Sequence, residues 1–188
     1  MIFPAALLFV LTGGVAYLAM LYNGLIGLQA DIDKAWANID VLLKQRYDEI
    51  SKLVEVCKGY MQYERSALES ITQARSTYAK AATVNQKADA SGPLASSARQ
   101  LFATAENYPQ LKANDTFLQL QKRITELEEQ IADRREFYND AVNTFNIRMR
   151  EMPDAFVAKR VRVQPRQMFK VKETERAPAR VLWDEVMR

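Results

Sequence analysis

Residues 25–61 read LIGLQADIDKAWANIDVLLKQRYDEISKLVEVCKGYM. Apolar side chains recur here at Leu25, Leu28, Ile32, Trp36, Ile39, Leu43, Tyr47, Ile50, Val54, Cys57 and Met61, and the rhythm continues through Leu68, Ile71 and Tyr78. Steps of three and four keep side chains on one face of a helix, whereas a strand would alternate. No proline interrupts residues 5–92. The spacing allows one long helix reaching toward residue 83 but leaves open whether it is continuous through Gly59, its weak point at about 1 kcal/mol relative to alanine. A straight helix over 31–83 would be about 80 Å long at ~1.5 Å per residue. Such a stripe does not stand alone in water and needs helical partners.

Upstream, residues 1–22 read MIFPAALLFVLTGGVAYLAMLY, and no charged side chain occurs in the first 30 residues. A helix crosses a bilayer core with roughly 20 predominantly apolar residues. Tyr17 and Tyr22 suit an interfacial belt at its end, and Pro4 sits where a first helical turn tolerates proline. A cleaved secretory signal is the alternative, with Gly14-Val15-Ala16 as a weak small-x-small site, but no basic residue precedes the apolar run. An uncleaved anchor is the expectation. Lys34, Lys44 and Arg46 follow it and nothing basic precedes it, which favours an N-terminus outside and a body in the cytoplasm.

Downstream, residues 83–93, TVNQKADASGP, read as a loop marked by Gly92 and Pro93. Residues 94–107 form a short helix candidate with Leu94, Ala98, Leu101, Phe102 and Ala105 inward, ended by Tyr108-Pro109. Asn114 or Asp115 is positioned to cap the next helix. That helix, about 115–152, carries Phe117, Leu120, Ile124, Leu127, Ile131, Arg134, Tyr138, Ala141, Phe145, Arg148 and Met152 on alternating steps of three and four. This is an a/d seam of the kind that supercoils, and Pro153 ends it. In the tail, Val161 and Val163 alternate with Arg160 and Arg162. Residues 154–188 read equally as a short strand pair or as an irregular, disordered terminus.

The 188 residues carry a net charge of +3, unevenly spread. Residues 31–153 hold 17 basic and 18 acidic groups, while residues 154–188 hold nine and five. There is no histidine and one cysteine, Cys57. These facts exclude an internal disulfide, a zinc site built on histidine or paired thiolates and a histidine general base. Six glycines and six prolines are too few for a turn-rich all-β domain.

The motifs are more specific than the composition. Ala35-Trp36-Ala37-Asn38-Ile39-Asp40-Val41 is followed by Leu43-Lys44, Arg46-Tyr47-Asp48, Ile50, Leu53-Val54-Glu55, Lys58-Gly59-Tyr60 and Glu64. Tyr22-Asn23 precedes them. Further on stand Glu106-Asn107-Tyr108-Pro109-Gln110-Leu111-Lys112-Ala113-Asn114, then Phe117, Leu120, Gln121, Ile131, Arg135, Tyr138-Asn139, Ala141-Val142, Asn146 and Pro153. Over roughly residues 20–157 the chain resembles the LemA family. It departs from the family pattern at Ser51, where proline is usual, at Tyr63, where histidine is usual, and at Arg134, where a small residue is usual. The resemblance implies a membrane-anchored antiparallel helical bundle close to a four-helix arrangement. It also implies a link to membrane-protease neighbourhoods or, in magnetic bacteria, to organelle formation, and it carries over no catalytic residue.

The expected architecture is therefore all-α: an N-terminal transmembrane anchor over 1–24, a helical bundle with long helices over 25–157, and a basic, proline-containing tail over 158–188. The expected role is a single-pass scaffold or adaptor in the bacterial inner membrane, acting by contact and self-assembly rather than catalysis. The alternative is an accessory subunit of a membrane protease or envelope-stress system. No cofactor or metal is expected. The carboxylates Glu126, Glu128, Glu129 and Asp133 read as a solvated face, because a di-iron bundle needs Glu-x-x-His motifs. Trp36, Asp40, Arg46, Glu64, Arg135, Tyr138 and Asn139 are the interaction candidates. Glu64 lies in the apolar stripe, so an interhelical pair with Arg75, Arg134 or Arg135 is expected for it. Cys57 reads as a small core residue. The tail basic residues Lys159, Arg160, Arg162, Arg166, Lys170 and Lys172 suit anionic lipid. The expected partners are membrane lipid through the anchor, a second copy of the chain and a membrane protein. Nucleic acid is disfavoured, since no folded reader motif accompanies the charge.

Overall fold

The computed structural model describes residues 2–169. Among them are six helices and no strands: α1 (Ile2–Lys58), α2 (Arg65–Ala79), α3 (Val84–Ala105), α4 (Pro109–Lys112), α5 (Asp115–Arg148) and α6 (Asp154–Val161). The described residues divide into two compact units, one of residues 2–41 with 131–168 and one of residues 42–130 with Phe169.

In the first unit, the N-terminal part of α1 is long and apolar enough to cross a membrane, with a mean hydropathy of 2.0 over its richest window. Residues 3–20 all face outward. The Thr12 hydroxyl donates within the helix, to the carbonyls of Leu8 and Phe9 at 3.0 Å each. Burial begins where the apolar run ends. Leu21 and Leu25 pack with Val157 and Ala158 of α6, and Met149 covers the cluster. Gly24 leaves room for the Arg148 guanidinium, which lies 3.5 Å from the position a Cβ would take. Farther along α1, Trp36 meets Tyr138 of α5.

In the second unit, the helix is not continuous through Gly59. The first helix ends at Lys58 and α2 starts at Arg65. The amides of Tyr60 and Met61 both turn back onto the Cys57 carbonyl, at 3.0 and 2.9 Å. Gly59 sits at this break, where its low helix propensity adds no resistance. The turn lets Met61, Ala67, Ile71, Ala74 and Tyr78 be buried.

The loop expected over 83–93 is instead the first half of α3. Thr83 and Gln86 form a reciprocal capping box that starts the helix, and Pro93 lies inside it. Proline lacks an N–H and strips a partner from the carbonyl four residues back. The helix nevertheless continues because Ala90, Ser91, Leu94, Ala95, Ala98 and Leu101 are all buried along it. Serine hydroxyls fasten the turn after the proline: Ser96 and Ser97 both donate to the Pro93 carbonyl, at 3.0 and 2.9 Å. Ser97 also meets Ser70 of α2 at 3.2 Å. The start of α5 is capped as expected by Asn114, whose Oδ1 accepts from the Phe117 amide at 3.0 Å.

Two expectations along α5 are corrected. Arg134 is not a seam residue; it is exposed, its guanidinium 5.9 Å from the Phe137 ring. The buried positions are Phe117, Leu120, Ile124, Leu127 and Ile131, then Tyr138, Val142 and Phe145, with Arg135 half-buried between the two sets. Two successive steps of four, at Ile131 and Arg135, shift the register by one position, the stutter that keeps an apolar stripe aligned with a straighter helix. Of the two alternatives for the tail, the strand pair is corrected over the described residues. Val161 ends α6 rather than starting a strand, and Arg162 adopts a left-handed conformation (φ 56°, ψ 37°) that stops the helix. Residues 163–169 carry no regular structure.

Candidate interaction site

The sequence-derived candidates fall into both units. In the first, Tyr138 is the centre. Its ring is buried on α5 and meets Trp36 edge to face, with centroids 5.9 Å apart. Its hydroxyl donates to the Gln167 carbonyl at 3.0 Å. Asn146, eight residues on and so on the same helix face, donates from Nδ2 to the Arg166 carbonyl at 2.9 Å and accepts the Arg166 amide at 3.0 Å. One side-chain amide thus satisfies both backbone groups of Arg166, as a neighbouring strand would. The Arg166 guanidinium reaches Asp33 of α1 at 3.3 Å. A segment without helix or strand has no internal partners for its backbone; here α5 supplies them, so residues 166 and 167 are strapped down.

This geometry sets the electrostatics of the phenol. Loss of solvent pushes Tyr138 above the ordinary tyrosine range; Arg166 opposes the shift and Asp33 adds to it. Trp36 and Asp40 lie one turn apart on α1. Arg135, Tyr138 and Asn139 share a face of α5. Asp40, Arg135 and Asn139 are half-buried, and each engages a partner.

Among the basic candidates, the Arg166 guanidinium pairs with Asp33 while its backbone is held by Asn146. Lys159 and Arg160 are exposed on α6, and Arg162 is exposed at its end. Lys170 and Lys172 lie outside the described residues.

In the second unit, Arg46 occupies a buried position in the α1 stripe. Its Nη2 donates to the Ser91 hydroxyl at 2.8 Å and the Ser91 carbonyl at 3.0 Å. A buried guanidinium needs such partners. Next to it on α1, Tyr47 stacks on Tyr78 with centroids 5.5 Å apart, and the Arg75 guanidinium lies 5.4 Å from the Tyr47 ring.

Glu64 does not sit in a helical stripe and does not pair with Arg75, Arg134 or Arg135. It precedes α2 with non-helical dihedrals, half-buried, and accepts from the Tyr108 hydroxyl at 3.1 Å. The break at Gly59 is the reason: it takes Glu64 off the helix that the spacing had implied. Loss of solvent and the Glu64 carboxylate both raise the Tyr108 phenol. A second tether crosses nearby, from Asn114 Nδ2 to the Tyr60 hydroxyl at 3.3 Å. Cys57 is buried, and desolvation pushes its thiol up to about 11, away from nucleophilic use.

Sequence reasoning passed over Ser91, Tyr108 and Asp154. Ser91 was hidden by the misread loop. Tyr108 was read as a helix stop and as part of a family motif, with no contact assigned to it. Asp154 is buried against Arg148 in a bidentate pair at 3.0–3.1 Å, a contact across a turn that no periodicity signals. Among the described residues no group of three or more Cys, Asp or Glu side chains could hold a metal ion.

The geometry is that of an all-helical protein with a lipid-compatible leading helix and polar side chains spent on fastening its own elements. The family model of the LemA family matches residues 35–182, and the chain belongs to that family. It is similar to magnetosome protein MamQ 2 of Paramagnetospirillum magneticum, 24% identical over 177 residues covering 77% of this chain and 62% of that protein. It is also similar to protein LemA of Metamycoplasma hominis, 28% identical over 178 residues covering 90% of this chain and 79% of that one. Magnetosome protein MamQ of Magnetospirillum gryphiswaldense is 21% identical over 170 residues, 77% and 62% of the two chains. The chain thus spans 62% of the length of the magnetosome proteins it matches.

Proposed function

We propose that this LemA-family protein is a single-pass scaffold of the bacterial inner membrane that works by protein contacts and self-assembly, without catalysis. The observation that carries this reading is the passage of α1, without interruption, from an outward-facing apolar stretch into packed residues ending at Lys58. A continuous helix carries the chain out of the anchor without a flexible linker. In this reading residues 1–24 span the membrane, residues 25–157 form an antiparallel four-helix-like bundle, and the N-terminus lies outside with the body in the cytoplasm. The opposed contacts Gly24–Arg148 and Trp36–Tyr138 support the antiparallel sense.

The polar candidates support contact rather than chemistry. Tyr138, Asn146, Arg46 and Glu64 each hold another element of the chain. The names of the MamQ relatives tie them to the magnetosome, and by analogy this chain serves a membrane-bound structure. The test is crosslinking of the full chain in native membranes, followed by mass spectrometry of what co-purifies. Self-crosslinked species with no constant partner are the expected result. A membrane protease recovered in constant proportion would replace the scaffold reading with that of an accessory subunit.

A further inference from the structure

The outer face of α6 is anomalous for a helix packed on a soluble body. Its inner face, Ala155, Val157 and Ala158, is buried. Its outer face pairs large apolar groups with cations: Phe156 is 61% exposed and Met152, just before the helix, 77% exposed. Lys159 and Arg160 stand one turn from Phe156 and are exposed, as is Arg162. Over residues 148–166 there are six basic and two acidic side chains. Arg148 is paired with Asp154 and Arg166 with Asp33, which leaves Arg150, Lys159, Arg160 and Arg162 exposed against the exposed Glu151.

The position of α6 names the occupant of that face. Val157 and Ala158 pack on Leu21 and Leu25. A span of roughly 20 residues beginning at Phe3 reaches its far boundary near Tyr22, so α6 is held at the level where hydrocarbon gives way to headgroups. Aromatic groups beside Lys and Arg are the composition of an interfacial helix, and anionic headgroups attract cations that lie close to them.

We propose that α6 is an interfacial helix, with Phe156 and Met152 dipping into the acyl boundary and Lys159, Arg160 and Arg162 binding anionic headgroups. The protein then touches the membrane twice, through a span and through a lateral foot that fixes the tilt and rotation of α1. This rests on the anchor reading, and the experiment separates the two.

The full chain carrying Phe156→Cys, nitroxide-labelled, is reconstituted into vesicles of phosphatidylcholine alone and with phosphatidylglycerol. The buried Cys57 thiol does not compete for label. Phe137→Cys, exposed on α5 beside Tyr138, is the reference. Flotation with alkali-resistant binding tests the anchor by itself. For the foot, the label at 156 should be more accessible to oxygen than to a water-soluble nickel chelate, with the reverse at 137. Phosphatidylglycerol should deepen the 156 position, and K159E with R160E should cancel that deepening. A chain that floats but shows equal nickel access at 156 and 137 in both lipids overturns the proposal. So does a label shielded from both reagents, which means that protein covers the face. Equal depth with and without phosphatidylglycerol removes the headgroup half of it.

Discussion

At the residue scale, the polar side chains in this protein mostly satisfy backbone or buried charge. Asn146 holds both backbone groups of Arg166. Its replacement by alanine leaves those groups to water and should cost about 1–2 kcal/mol, two ordinary hydrogen bonds. Trypsin cleavage after Arg166 in the folded protein should accelerate in Asn146→Ala, read as the rate of appearance of the shortened chain. Arg46 is the costlier case. Ser91→Ala removes a charge-assisted bond to a buried guanidinium, and a loss of about 1.5–3 kcal/mol in urea unfolding is expected. Cys57 supplies the pH dependence. Its thiol is raised in the folded chain, so its stabilisation is complete below the unfolded value and drains as pH rises. The window runs from 9.0 to about 11. Tyr138, also raised, acts in the same direction at higher pH. The urea midpoint should fall across that window, and Cys57→Ala should flatten the early part of the fall.

At the scale of the element, α3 contains a residue that opposes local preference. Pro93 inside α3 removes one hydrogen bond and crowds the preceding turn, yet the side chain itself is exposed. Pro93→Ala should therefore stabilise the protein, by about 1–3 kcal/mol, measured as a rise in the urea midpoint. The buried row from Ala90 to Leu101 explains why the helix tolerates the proline: packing of an apolar face outweighs propensity. The signal for this helix was present in the sequence. Thr83-Val84-Asn85-Gln86 is a capping-box pattern, overridden in the reading by the Gly92-Pro93 pair. The α5 seam was legible over Phe117–Ile131 and misread beyond, because a strict heptad was carried through a stutter. Arg134 took the place that belongs to Arg135, and Ala141 that of Val142.

At the scale of the whole molecule, a C-terminal reporter enzyme that works only in the cytoplasm should be active, and one that works only outside should be silent. The reverse pattern would put the body on the other side of the membrane. The sequence by itself determined the helical class, the apolar leading segment, the LemA membership and the start of α5. These follow from periodicity, length and capping, which are local properties of the chain. Only the tertiary structure decided where α1 breaks, that α3 runs through its proline, that Glu64 meets Tyr108, and that Tyr138 and Asn146 hold the segment after α6. Those outcomes turn on which buried faces and backbone groups find partners far away in the chain. The energy of such a contact belongs to two distant residues at once, so neither one's neighbourhood discloses it.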